Sequence, residues 1–196
     1  MGLPSSILRV FLRRNSHTPD DDMVAIGPPG LWKPAAKEVH ISVAFTWDRQ
    51  HGEWLQNEWA KYYPVVKLGG PGIDGEGNGF EPGMYLKQGI TITTRGCPNH
   101  CPFCLVKDKP FRELTIKPGW VVQDNNILAA SQGHFSAVIE MLNTRSKAAV
   151  FRGGLDSSRI TPWHIEKLKQ LKSIGELWFA CDTDTALKPL AVVAPK

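Results

Sequence analysis

The sequence predicts an α/β fold with parallel strands, on three observations. From residue 89 onward, short apolar β-rich runs alternate with segments of helical periodicity. Such alternation implies parallel pairing through right-handed crossovers. Each of these strands ends on polar or cysteine residues, where parallel sheets and barrels gather their chemistry. A Gly/Pro-rich stretch, residues 69–84 with seven glycines, separates this part from a smaller β-α-β unit before it.

Residues 1–38 read as an irregular segment, punctuated by Pro19, the acidic run Asp20–Asp22, Pro28-Pro29-Gly30 and Pro34. Within it, the apolar stretch Ile7–Leu12 carries Arg9 and runs into Arg13 and Arg14. It lacks the long uncharged core and small-residue cleavage site of a secretory signal. The small unit follows over residues 39–84. Val39–Trp47 predicts a buried strand, Gly52–Tyr63 a helix with Trp54, Leu55, Trp59, Tyr62 and Tyr63 at helical spacing, and Val65–Leu68 a second strand. The main domain spans residues 85–196. Its expected strands are Gly89–Thr94, Trp120–Gln123, Ala148–Phe151 and Leu177–Ala180. Helices are expected over Ser131–Thr144, Pro162–Leu171 and from Thr185 onward. Thr161 suits an N-cap and Pro162 a first helical turn.

Composition excludes several classes. With 42% hydrophobic and 21% charged residues, the 196-residue chain has the balance of a globular protein rather than a disordered one. No apolar run approaches the roughly 18–20 residues that span a bilayer, so no membrane association is expected. The net charge of +4 and the seven tryptophans keep nucleic acid in view as a partner, although Trp54 and Trp59 sit at core spacing. Three of the four cysteines fall within eight residues. A disulfide framework would spread them, so the clustering points to a metal site in a reducing, cytoplasmic setting.

That cluster is Arg95-Gly96-Cys97-Pro98-Asn99-His100-Cys101-Pro102-Phe103-Cys104, directly after an expected strand. Three thiolates on one tight loop can hold three irons of a cubane cluster and leave the fourth open to a cofactor or substrate. A structural zinc site is the competitor, since zinc also takes four cysteines or three cysteines and a histidine. The remaining candidates, His100, His134, His164 and the lone Cys181, form no second pair. Cys181 reads as a small residue at a strand end rather than a fourth ligand.

Cys97, Cys101 and Cys104, so spaced after the first strand and with Phe103 before the last, resemble the signature of the radical S-adenosylmethionine enzymes. The resemblance implies a partial parallel (βα) barrel, a [4Fe–4S] cluster on those three cysteines, and S-adenosylmethionine chelated at the open iron. It implies reductive cleavage to a 5′-deoxyadenosyl radical, an electron donor of flavodoxin or ferredoxin type, and Phe103 near the adenine. Asp124-Asn125-Asn126 resembles the Asp/Asn-rich cofactor turn of relatives with an upstream cobalamin-type domain, with helix capping as the plainer reading. Gly153-Gly154-Leu155-Asp156 is similar to a later cofactor-contacting turn, so Asp124, Asn125, Gly153, Gly154 and Asp156 are expected at the cofactor.

The unit ending in Gly69-Gly70-Pro71-Gly72 resembles the Rossmann-like module of those relatives. It lacks Asp-x-His-x-x-Gly, so cobalamin is not expected, and the glycines serve any tight loop. Two features depart from the family. Only about 15 residues separate Cys104 from the second strand of the main domain, leaving the first barrel helix short or missing, and the chain carries four strands of the usual six. The leading expectation is a radical S-adenosylmethionine enzyme acting on an unidentified substrate. The alternative is a non-catalytic iron–sulfur or zinc protein, a remnant or a partner subunit.

Overall fold

The computed structural model describes residues 7–74, 83–104, 106–107, 109–182 and 184–193. The chain divides into two compact units, residues 1–88 and 89–196.

The first unit begins with strand β1 (Ile7–Phe11), followed by β2 (Val24–Ile26), β3 (Glu38–Ser42), helix α1 (Arg49–Ala60), β4 (Val66–Gly69) and the single turn α2 (Pro71–Asp74). Its strands form one sheet in the order β2-β1-β3-β4, and every pairing is parallel. Residues 1–38 are therefore not the irregular segment expected: they supply two strands, one of them internal to the sheet. The reason is Arg9. It interrupts an apolar run and reads as exposed, yet it is only 3% exposed. Its guanidinium donates to the Met84 carbonyl at 2.6 Å and to Asp21. On the opposite face of the strand, Leu8 and Val10 are fully buried.

The core beneath that face joins Leu8, Val10, Val39 and Ile41 to Leu55, Trp59 and Tyr63. Burying each large aliphatic side chain here contributes about 1.5–3 kcal/mol. The helix meets the sheet along Leu55 and Trp59, an i, i+4 pair, and Tyr63 just past its end continues the seam. Trp54 and Tyr62 instead face outward at 46% and 56% exposure. The two buried rings satisfy their polar ends on the Gly/Pro-rich chain before β3. Trp59 Nε1 donates to Gly27 O at 3.0 Å, and the Tyr63 hydroxyl to Pro34 O at 2.6 Å.

Strand β3 stops at Ser42, short of the expected Trp47, because its partner β4 ends at Gly69. The loop after β4 then lies directly on the loop after β3. Gly70, at φ +105°, would place a Cβ 2.6 Å from the Val43 carbonyl oxygen. Only glycine permits that approach, so this residue is explained by packing. Residues 75–82 of the expected linker lie outside the described residues. Residues 84–87 are fastened to the first unit by the Met84 bond, by Tyr85 to His40 at 2.5 Å, and by Lys87 to Asp20 at 2.8 Å. The boundary thus falls after Gln88 rather than after residue 84.

The second unit contains β5 (Ile90–Thr91), β6 (Thr94–Arg95), β7 (Arg112–Glu113), β8 (Val121–Val122), α3 (Gln132–Asn143), β9 (Ala149–Asp156), α4 (Pro162–Lys169), β10 (Ile174–Ala180) and α5 (Asp184–Val193). Four strands make a parallel sheet in the order β10-β9-β8-β5. The α/β class with parallel pairing is as expected. Among the described residues this sheet is open and no barrel closes. Between β5 and β8 the described residues form the antiparallel pair β6–β7 and no helix, which matches the short spacing after Cys104.

Helices α3 and α4 begin where the sequence placed them. Ser131 Oγ accepts from His134 N at 3.2 Å, and Thr161 Oγ1 from His164 N at 3.4 Å. The core is built from Val122, Phe151 and Leu155 of the sheet against Phe135, Val138, Leu142 and Leu168 of the helices. Strand β9 runs five residues past the expected Phe151, through Gly153-Gly154. Those glycines read as a turn; they lie where the register with β10 shifts, Gly154 at φ +79°, and the pairing resumes at Leu155 with Phe179 and Asp156 with Ala180. No described helix is long and apolar enough to cross a membrane.

The buried arginine of the first unit is directly testable. Arg9→Ala leaves the Met84 carbonyl without its donor and opens a cavity beneath the sheet. A loss of about 2–4 kcal/mol of stability is expected in urea denaturation. A change under about 0.5 kcal/mol would show that Arg9 is not holding this face.

Candidate metal and cofactor site

The cysteine loop leaves β6 at Arg95 and returns at β7, whose antiparallel pairing closes its base. Cys97 N donates to Lys109 O at 3.4 Å across that base, and Cys104 N to Cys101 O at 3.0 Å within a tight turn. Cys97, Cys101 and Cys104 are free thiols, each partly buried. Two sulfurs receive N–H donors. Asn99 N at 3.5 Å and Asn126 Nδ2 at 3.4 Å point at Cys97 Sγ, and Val106 N at 3.4 Å points at Cys104 Sγ.

The loop is fastened to the ends of two neighbouring strands. Asn125, just past β8, accepts from Gly96 N through its Oδ1 at 3.2 Å. Asp156, the last residue of β9, is the centre of a larger network. Its Oδ2 accepts from Asn99 Nδ2 at 2.6 Å and from Asn126 Nδ2 at 3.0 Å. Its Oδ1 accepts from Ser158 N at 2.9 Å and Ser158 Oγ at 2.7 Å. Arg159 stands 3.6 Å from Asp156 and donates to Asn99 Oδ1 at 2.8 and 3.1 Å. Burial would push the Asp156 carboxyl up, but the bonds from Ser158, Asn99 and Asn126 outweigh it and hold the group below the usual carboxylate value. It is a carboxylate at neutral pH.

Asp124 has a different environment. It is 5% exposed, and each of its oxygens accepts from Thr93: Thr93 N donates at 2.6 Å and Thr93 Oγ1 at 2.5 Å. Burial pushes its carboxyl above the ordinary value, against the pull of the hydrogen bonds from Thr93 and Thr94. Asp124 therefore ties the chain after β5 to the end of β8. Gly153 and Gly154 are explained by the same junction. A Cβ on Gly154, at φ +79°, would lie 3.0 Å from the Asp124 carbonyl oxygen and 3.1 Å from Ile127 N. These glycines let β9 close against the residues after β8.

Phe103 is 66% exposed on the cysteine loop, which removes the alternative of a core aromatic. His100 is exposed on the same loop. His164 is buried against Phe135 and Trp163, with Thr161 Oγ1 at 2.9 Å from its Nδ1. Among the described residues, no three His, Cys, Asp or Glu side chains converge closely enough to hold one metal ion. That holds for Cys97, Cys101 and Cys104 themselves as well as for the histidines and Cys181.

The donor set fits an iron–sulfur cluster, as it does a thiolate-bound zinc ion. Soft thiolates supply the ligands, and N–H groups aimed at sulfur are the bonds that tune such clusters. Asn126 adds a second sign. It is 2% exposed, and its Oδ1 is buried without a partner among the described residues. That leaves an acceptor beside Cys97 for a donor arriving with a ligand. Asn126 belongs to the expected Asp124-Asn125-Asn126 turn, whereas Asn99 and Arg159 were not among the expected site residues. Asn99 lies between the cysteines and Arg159 three residues past Asp156, so position was their only signal.

Comparison with protein-family models, curated proteins and solved structures finds no match to this chain.

Two outcomes follow from the carboxylates. Asp124→Ala leaves Thr93 N–H buried and unpaired, and a loss of about 2–3 kcal/mol is expected. In Asp124→Asn, the amide oxygen still accepts from Thr93 N, so the loss is smaller. The raised folded value means that ionisation costs stability as pH climbs from about 4, the unfolded value, through the folded one. The stability gap between the unmodified chain and Asp124→Asn should therefore shift in favour of Asn over that window, measured by denaturation at successive pH values. A gap that ignores pH would contradict this account. Asp156→Ala, in contrast, releases Asn99 and loosens the loop. Alkylation of Cys97 in the reduced, metal-free protein should be about tenfold faster, read by mass spectrometry. An unchanged rate would show that Asp156 does not restrain the loop.

Proposed function

We propose that this chain is a radical S-adenosylmethionine enzyme, with a [4Fe–4S] cluster on Cys97, Cys101 and Cys104. The observation that carries the reading is the anchoring of the three-thiol loop at the carboxyl edge of a parallel sheet, through Asn125, Asn126 and Asp156. The strand order supports it too. β5, β8, β9 and β10 neighbour one another in sequence order, as consecutive strands in the wall of a (βα) barrel do. On this reading the four strands are part of such a wall.

When bound, the cluster and S-adenosylmethionine supply one-electron cleavage of the sulfonium bond and hydrogen abstraction from a substrate. The chain's own residues bind and orient. Three thiolates hold irons, and Asn99 N, Asn126 Nδ2 and Val106 N stabilise negative charge on sulfur. Asp156 offers a carboxylate to the cofactor's amino group or ribose, while Asn126 Oδ1 offers a neutral acceptor. Phe103 supplies an exposed ring for the adenine. Asn125, Gly153 and Gly154 act by positioning the loop and β9, and Asp124 is assigned to the framework. The electron comes from a flavodoxin- or ferredoxin-type donor.

The test is anaerobic reconstitution. About four irons and four sulfides per chain are expected, falling sharply in Cys97→Ala, Cys101→Ala and Cys104→Ala and unchanged in Cys181→Ala. S-adenosylmethionine should alter the reduced protein's electron paramagnetic resonance signal, and 5′-deoxyadenosine should form. One tightly held zinc without sulfide would overturn the cluster. A cluster indifferent to S-adenosylmethionine would leave a non-catalytic iron–sulfur protein.

A further inference from the structure

The first unit has no part in the chemistry above, yet its topology marks a site. The strand order β2-β1-β3-β4 reverses between β1 and β3, and open parallel sheets bind ligands in the crevice outside the carboxyl ends at such a reversal. Phe11 pairs with Ser42 at the last register of these two strands, so the loops after them leave the sheet side by side. The loop after β1 carries Arg13 and Arg14, both exposed. The loop after β3 carries Phe45 and Trp47, at 45% and 72% exposure. Arg13 reaches across and pairs with Asp48, the neighbour of Trp47, so arginines and rings belong to one surface.

The aromatic pair is the unusual feature. Phe45 and Trp47 stack with centroids 4.6 Å apart and planes 6° from parallel. Each ring covers one face of the other. Trp32, Trp54 and Tyr62 are exposed in this unit too, but Phe45 and Trp47 form a parallel stacked pair beside the switch in strand order, a surface suited to an occupant. Arg49, the first residue of α1 and two residues past Trp47, is a third exposed cation, and its guanidinium donates to the Ile73 carbonyl at 2.8 Å. A flat stacking face edged by arginines matches a planar base that carries phosphate, because stacking serves any base and arginine serves the anion.

We infer that the crevice at the carboxyl ends of β1 and β3 binds a phosphorylated nucleobase, stacked on Trp47 and held by Arg13, Arg14 and Arg49. Gly69-Gly70-Pro71-Gly72 contributes no phosphate loop here. Its glycines are consumed by packing on residues 43–45, and α2 is a single turn. The ligand is either a free nucleotide or one unit of a single strand, and the two share this chemistry.

The test uses the full chain and its Cys97→Ala variant, so that an adenosine-bearing ligand at the cysteine loop cannot mimic the result. Binding of AMP, ATP and a twelve-residue oligouridylate is measured by calorimetry, with adenosine and tripolyphosphate as half-ligands. Saturable binding of at least one nucleotide probe is expected in both proteins, weakening about tenfold in Trp47→Ala and falling with salt. Arg14→Ala should weaken it too, and each half-ligand should bind far less well. An oligomer much tighter than AMP identifies a strand as the source, and equal affinities identify a free nucleotide. Trp47→Ala without effect, tripolyphosphate binding as tightly as ATP, or no saturable binding would each overturn the inference.

Discussion

Asp156 holds the second unit's working edge together. It ends one strand, receives Asn126 from the end of another, and receives Asn99 from the cysteine loop. A carboxylate whose side chain is 15% exposed is stable as an anion only when donors replace the water it has lost. Four N–H and O–H donors do so here, with Arg159 supplying the opposite charge. Hydrogen bonds to a charged group contribute about 1.5–3 kcal/mol each, more than neutral ones, so the network resists opening. A loop that carries three reactive thiols and no described helix is thereby confined by its neighbours rather than by its own secondary structure.

Asp124 shows how the same residue type, at the preceding strand end, takes the opposite role. Thr93 donates to both of its oxygens, and burial raises its carboxyl value. The two groups are pushed apart by environment alone. Asp156 is a charged, partly open acceptor suited to a ligand. Asp124 is closed and serves to join the chain after β5 to β8. Gly154 completes the division, since its missing side chain is what lets β9 reach the Asp124 carbonyl.

Much of this was legible in the residues. The capped helices were read correctly because Ser131 and Thr161-Pro162 act locally, through bonds within one turn. The cysteine loop stood out because its spacing is a local property. Misreadings arose where tertiary contacts overrule local appearance. Arg9 hid an internal strand because its partners lie 12 and 75 residues away. Gly153-Gly154 looked like a turn because nothing nearby in sequence announces the pairing with β10. The bond that ties Asp124 to Thr93 was not visible, because the two lie 31 residues apart. Trp54 and Tyr62 looked like core because a helical stripe drawn from aromatics alone is wider than the seam that meets the sheet.

Both units place their unspent side chains at the carboxyl ends of parallel strands, and physics explains why. There the chain leaves its ladder, so backbone direction, and with it side-chain direction, is freed within a fixed frame. What each edge can bind then depends on the residues it carries. The second unit presents soft thiols with N–H donors on sulfur, a set that favours a soft metal over a hard cation. The first presents arginines and two stacked rings, a set with no metal chemistry but with affinity for flat anions. The acidic partners differ correspondingly. Asp156 remains a carboxylate facing donors beside the thiols, whereas Asp48 is paired with Arg13. The shared parallel-sheet design thus fixes where each edge can act, and the local donor set decides on what.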